Sequence, residues 1–132
     1  MPKEKATTLA LKRVYDPPVA GDGTRILVDR LWPRGIAKDK AAIDLWLKAI
    51  APSDALRKRF HGHPADWNEF CAAYAVELEA PAAQAAVMEM REQMRQGPVT
   101  LLYAARDEAH NNAVALKAWL ERPGKARRDK AP

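Results

Sequence analysis

The chain has a single cysteine, Cys71, and three histidines among its 132 residues. One thiol excludes an internal disulfide and any cysteine-rich zinc site. Long apolar runs are missing too. No stretch approaches the roughly 18 to 20 residues that cross a bilayer, so no membrane helix is expected. Lys3, Glu4 and Lys5 are followed by neither an apolar region nor a small-residue cleavage site. No secretory signal is therefore expected, and the cytoplasm is the expected compartment. No motif with a known catalytic mechanism is present, and neither a cofactor nor a metal is expected.

A one-sided charge is also absent from the body of the chain. The formal charge is +5, but basic and acidic residues balance between Ala6 and Glu121. The excess belongs to the two ends, above all to the run from Arg122 to Pro132, which reads as a basic, disordered tail. Such a tail attracts phosphate backbones weakly and in a salt-sensitive way, or simply adds solubility. The length suits one domain with a real core. The expected organisation is a flexible N-terminus over 1–5, one domain over 6–121 and the tail over 122–132.

Hydrophobic periodicity predicts an α/β fold: a small, mostly parallel three-stranded sheet flanked by helices. Thr7 to Val14 alternates as a first strand with Leu9 and Leu11 on one face and Val14 a further candidate for it. Asp16-Pro-Pro-Val-Ala-Gly-Asp-Gly23 cannot continue that strand and reads as an ordered loop. Arg25 to Leu31 is the second strand. Ile43, Trp46, Leu47 and Ile50 recur at helical spacing, predicting a helix from Asp39 or Lys40 to Ile50. Ser53 caps a short basic helix, Asp54 to Phe60. A helix from Pro64 to Glu79 carries the apolar stripe Trp67, Phe70, Cys71, Tyr74 and Leu78. Pro81 separates it from another helix that ends near Gln96, with Val87, Met90 and Met94 inward. Val99 to Ala104 is a central strand, and a last helix spans roughly Asn111 to Glu121, packing Val114, Leu116, Trp119 and Leu120 in some combination. The link between the first two strands is short for a helical crossover, so strand one is either parallel or antiparallel.

Two strand ends carry the chemistry. In Arg25-Ile-Leu-Val-Asp-Arg-Leu-Trp-Pro-Arg-Gly-Ile36 an apolar strand runs into Asp29, Arg30 and Arg34 around a Trp-Pro kink. In Val99-Thr-Leu-Leu-Tyr-Ala-Ala-Arg-Asp-Glu-Ala-His110 another runs into Arg106, Asp107, Glu108 and His110. Parallel strands place both clusters on one rim, where open α/β sheets bind ligands. Arg30, Arg34 and Arg106 suit forked recognition of a phosphate or carboxylate, with Trp32 as an apolar wall and His110 within reach. Asp29 and Asp107 are the candidates for moving a proton. The competing reading is a structural network: arginines braced by Asp29 or Asp107, and Asp107 and Glu108 capping the last helix. His61-Gly62-His63 reads as a turn, since a third metal ligand is missing. Cys71, on the apolar stripe, reads as a packing residue.

These motifs, with Lys12-Arg-Val-Tyr-Asp-Pro-Pro18, Trp46-Leu-Lys-Ala-Ile-Ala-Pro-Ser53, Leu56-Arg-Lys-Arg-Phe-His-Gly62 and Trp67-Asn-Glu-Phe70, resemble the YeaO-like branch of the DUF488 family. The resemblance covers about residues 10 to 120. It implies a fold and kinship, and no established activity. Similar positions in the wider family read as a Val-Asp-x-Arg-like strand end, and as a Leu-Leu-Cys-Ala-Glu strand leading to a Cys-His-Arg turn. Here Tyr103 stands in place of the strand cysteine and Asn111-Asn112-Ala113 in place of Cys-His-Arg, so thiol or metal chemistry does not carry over.

Three functional readings follow. In the first, the domain binds an anionic small molecule at the Arg/Asp rim, with or without catalysis. In the second, it binds nucleic acid weakly through Arg57, Lys58, Arg59 and the tail. In the third, its charged rim docks a protein partner.

Overall fold

The computed structural model describes residues 9–37, 42–60 and 66–122. Four strands, β1 (Leu9–Arg13), β2 (Thr24–Leu27), β3 (Leu45–Trp46) and β4 (Val99–Tyr103), form one sheet in the order β1-β4-β2-β3. Every pairing is parallel, which decides the orientation of the first strand. The helices are α1 (Asp54–Phe60), α2 (Trp67–Glu79), α3 (Pro81–Gln96) and α4 (Asn112–Leu120), with 3-10 turns at Ala20–Asp22 and Lys48–Ile50. No described helix is long and apolar enough to cross a membrane.

The strand β4 is central, and all five of its residues are buried. Its even-numbered side chains face away from the odd-numbered ones. Val99, Leu101 and Tyr103 join Leu9, Ile26 and Val28 in the larger core, which the helices cover with Phe70, Tyr74, Leu78, Val87, Met90, Met94, Leu116 and Leu120. Leu102 faces the other way, with Leu27 and Val14, against Trp32, Ile36, Ile43 and Trp46. Loops close that second face. Val14, an odd number of positions from Leu9 and Leu11, packs on the opposite side of the sheet by the same alternation, and its N–H still donates to Tyr103 O at 2.8 Å.

The second face also holds a buried ionic group. The Asp22 carboxylate accepts from Arg25 at 2.5 Å, from Lys12 at 3.0 Å and from the Val19 N–H at 3.1 Å. Arg25 spends its Nε on Ala42 O, and Thr100 reaches Asp22 O at 2.8 Å. Burying these charges is tolerable only because each is paired. The same corner explains Gly23: its φ is +66°, and a Cβ there would lie 2.2 Å from Pro98 O.

The helix expected from Asp39 or Lys40 to Ile50 is not what residues 42–50 form; 39–41 lie outside the described residues. Leu45 and Trp46 instead pair with Ile26 and Leu27 as β3, and a 3-10 turn follows. The physical reason is that β2 would otherwise present an unpaired edge. Asp44 N and Leu47 N donate to Arg25 O and Leu27 O, and the Asp44 carboxylate accepts from Arg25 N at 2.8 Å. The apolar residues then split across the sheet, with Ile43 and Trp46 on the loop-covered face and Leu45, Leu47 and Ile50 on the helical one. A single helix would have put them on one side. The three-strand expectation thus becomes four strands, and β2 ends at Leu27 rather than Leu31.

The remaining helices follow the expected pattern. Pro81 opens α3, where its missing N–H costs nothing. Ser53 caps α1, accepting from Leu56 N at 3.1 Å, and is gripped by Glu77 of α2 through both its N–H and its hydroxyl, at 2.8 and 2.6 Å. For α2 the described helix starts at Trp67; residues 61–65, which include the His61-Gly62-His63 turn, lie outside the described residues, as do both expected tails.

Candidate functional site

Because the sheet is wholly parallel, the carboxyl ends of its strands share one rim. A cavity of about 360 Å³ opens there, lined by Asp29, Arg30, Trp32, Arg34, Arg57 and Asn112, with Tyr15, Leu31, Pro33, Pro52, Ala104 and Ala105 completing it. The segment after β2 supplies Asp29, Arg30, Trp32 and Arg34 directly. Pro33, buried, turns the chain so that residues on both sides of it reach the same space.

Asp29 is the hub. One carboxylate oxygen accepts from Ala104 N at 2.9 Å, the other from Asn112 Nδ2 at 3.1 Å, and its carbonyl accepts from the Trp46 indole at 2.7 Å. It therefore ties the ends of β2 and β4 to the first turn of α4 and to β3. Asn112 also donates to Val28 O at 3.0 Å. Burial raises the Asp29 pKa above the usual aspartate range, against the opposing pull of these two hydrogen bonds and of the Arg57 charge.

Each arginine is held differently. Arg30 is half-buried and donates to Pro52 O at 3.1 Å and Ala51 O at 3.4 Å, so its guanidinium braces the turn before α1 while lining the cavity. Arg57 pairs with Asp54 at 2.8 Å. Arg34 is exposed; its backbone carbonyl accepts from the Tyr15 hydroxyl at 3.0 Å, and its side chain has no hydrogen bond or ion pair among the described residues. Trp32 donates to Ile36 O at 2.7 Å and meets Trp46 edge-on at 5.4 Å. The indole is thus pinned as a fixed wall.

The second cluster goes elsewhere. Asp107 accepts from the N–H groups of Ala109 and His110, which lowers its pKa, and its carbonyl accepts from Asn111 Nδ2 at 2.8 Å. That is a turn closing onto α4, whose N-cap is Asn111, accepting from Val114 N at 2.9 Å. His110 pairs with Asp107 at 3.3 Å and sits edge-on to Trp67 at 5.2 Å. Neither residue lines the cavity, and neither does Arg106, which is exposed. Arg13 occupies that flank instead, donating to Ala104 O at 2.8 Å and Ala105 O at 2.9 Å.

Sequence reasoning brought Asp29, Arg30, Trp32 and Arg34 to one place, and the structure assembles the four. It placed Arg57, with Lys58 and Arg59, in a basic patch beside the His61-Gly62-His63 turn, one suited to extend an anion site or to contact nucleic acid. It missed Asn112 and Tyr15, since nothing local says that a residue one position past a helix cap reaches a strand end 83 positions away. Cys71 is half-buried against the core, and burial raises its thiol pKa, consistent with packing. Among the described residues no group of three or more His, Cys, Asp and Glu is placed to hold a metal.

The chain is 46% identical over 109 residues to uncharacterized protein YeaO of Escherichia coli (strain K12), covering 83% of this chain and 93% of that one. It is 38% identical over 116 residues to uncharacterized proteins of Mycobacterium tuberculosis and Mycobacterium bovis, covering 88% of this chain and 96% of theirs. No solved structure matches. Over residues 8–132 the chain fits the family described as the "Inactive DUF488-N3 subclade". This YeaO-like protein therefore belongs to the DUF488 family.

Proposed function

We propose that the protein binds an anionic small molecule in the rim cavity and does not transform it. The observation that carries this reading is the convergence of Arg30, Arg34 and Arg57 on one cavity of about 360 Å³, within the size range of small-molecule sites. The single lining carboxylate, Asp29, is already engaged by two donors. Guanidinium groups recognise phosphates and carboxylates through paired hydrogen bonds, and the flat wall of Trp32 suits a ligand with a planar or apolar part. The description of the subclade as inactive supports binding over catalysis. Of the two proton-transfer candidates, Asp107 serves a turn and Asp29 serves as a structural clamp.

The test is a thermal-shift and calorimetric screen against anionic metabolites and nucleotides, with Arg34→Ala alongside. Arg34 is the informative position because Arg30 also braces the 51–52 turn. A ligand at about 100 times its Kd adds roughly 2.7 kcal/mol, a shift of several degrees for a domain of this size. Losing one charged hydrogen-bonding group costs about 1.5–3 kcal/mol, so Arg34→Ala should bind roughly 10- to 100-fold more weakly with an unchanged melting point in the absence of ligand. An anion that binds the variant as tightly as the wild type would overturn the reading.

A second reading, contact with a nucleic-acid backbone, draws support from the exposed run Arg57, Lys58 and Arg59 on α1, next to the cavity. It predicts binding that falls steeply with added salt and with removal of residues 122–132. Salt-insensitive binding of a small anion would count against it.

A further inference from the structure

We propose that anion binding in the rim cavity is coupled to the uptake of one proton by Asp29. The inference rests on the anion-site reading above and adds its regulation. Three guanidinium groups attract an anion into this space, while the same space contains one carboxylate that repels it. Asp29 cannot swing away, because Ala104 N and Asn112 Nδ2 hold its two oxygens. Repulsion is therefore relieved by protonation instead. Burial already disfavours the ionised form of this residue, so an arriving negative charge pushes it in the direction it leans. The step balances simply: a solvent proton forms an O–H bond on the carboxylate and no bond breaks. Each oxygen keeps its place as an acceptor, and the new O–H can donate to the anion.

The charged surroundings are asymmetric in a way that favours this. Arg30 and Arg34 stand on the segment after β2, Arg57 and its partner Asp54 on α1, and Arg13 at the end of β1. On α2, Tyr74 and Glu77 lie within electrostatic reach: the Tyr74 hydroxyl feels the charges of Asp29, Glu77 and Arg30. Tyr74 donates to Ile50 O at 2.5 Å, and Glu77 is bound to Ser53. The first turn of α4 presents the neutral Asn112, and β3 the neutral Trp46 indole. Arg106, Asp107, Glu108 and His110, after β4, do not line the cavity.

The experiment is calorimetric titration of the full chain with sulfate, whose own charge stays constant across the range, from about pH 4, the ordinary region of an aspartate, to about pH 8. Each pH is run in two buffers of different ionisation enthalpy, so that the heat counts protons taken up. One coupled proton makes the affinity fall by up to about tenfold per pH unit between the Asp29 pKa of the free protein and that of the complex. Asp29→Asn should abolish both the proton uptake and this slope, and at neutral pH should bind sulfate at least as tightly as the wild type. Uptake that persists in Asp29→Asn, or sulfate binding with no uptake, overturns the coupling alone. No sulfate binding at any pH overturns the anion site together with it. Should the asparagine protein fail to fold, since one amide oxygen faces two donors, the wild-type Asp29 carboxyl carbon resonance decides. A shift toward the protonated value on saturation with sulfate supports the coupling, and an unmoved resonance refutes it.

Discussion

Single residues in this protein show how pairing decides whether a buried charge is tolerated. Asp22 and Asp29 are both acidic and both shielded, yet their carboxyls are displaced in opposite directions. The Val19 N–H, with Lys12 and Arg25, holds Asp22 at about 2 against the effect of burial, whereas burial dominates at Asp29. The signs for stability are opposite too. Asp22 stabilises the fold fully above its ordinary value of 3.8, and that contribution disappears as pH falls toward about 2. Asp29 contributes most at acid pH, and its contribution is lost as pH rises through its raised pKa. Asp22→Asn should therefore lower the urea midpoint at neutral pH, and the gap from the wild type should narrow as pH falls from about 4 towards about 2. Parallel urea titrations at neutral and acid pH check this; a gap that widens on acidification would contradict the assignment.

At the scale of elements, the α4 cap and the β2 end form one mechanical unit. Asn111 caps the helix, Asp107 closes the turn leading into it, and Asn112 carries the connection to Asp29. Asn111→Ala should destabilise the protein by about 1 kcal/mol, the usual value for losing an N-cap. Because the cap orients Asn112, the same variant should also weaken anion binding, although Asn111 does not line the cavity; denaturant titration and calorimetry on one preparation separate the two effects. The element that sequence periodicity misjudged, β3, shows the limit of reading period alone. Spacing at i, i+3, i+4 and i+7 satisfies a helix, but it equally allows a chain that crosses from one side of a sheet edge to the other. The unpaired edge of β2 favours the strand, and that edge is a partner 19 positions upstream, Ile26 against Leu45. No local window contains it.

For the whole molecule, the central strand is the last one made. β4 lies between β1 and β2, pairing Leu9 with Val99 and Thr24 with Val99, so neither early strand has its main partner until the C-terminal third of the chain exists. Such long-range pairing makes folding slow and cooperative compared with a helical bundle of the same size. It also joins the two faces of the sheet into one unit. Trp32 and Trp46 report on the loop-covered face, and Trp67 and Trp119 on the helical one. Urea unfolding followed by tryptophan fluorescence should coincide with that followed by far-UV circular dichroism; an early fluorescence transition with helices retained would show that the loop-covered face melts separately.

Much was determined by the sequence itself. Apolar runs bounded by proline and glycine placed β1, β4, α1, α3 and α4 to within a few residues, and the abrupt passage from apolar to charged residues marked both strand ends. The motifs that resemble the DUF488 family were legible for the same reason, being local and ordered along the chain. The tertiary structure alone decided which of the two charged strand ends would face a cavity. Both look alike as strings, but the Asp107 segment satisfies itself in a turn, while Asp29 finds its donors in Ala104 and Asn112, 75 and 83 positions away. The physical reason is that hydrogen-bonding and ionic partners are chosen by proximity in the folded chain. A sequence specifies which groups need partners, and only packing specifies which partners are near.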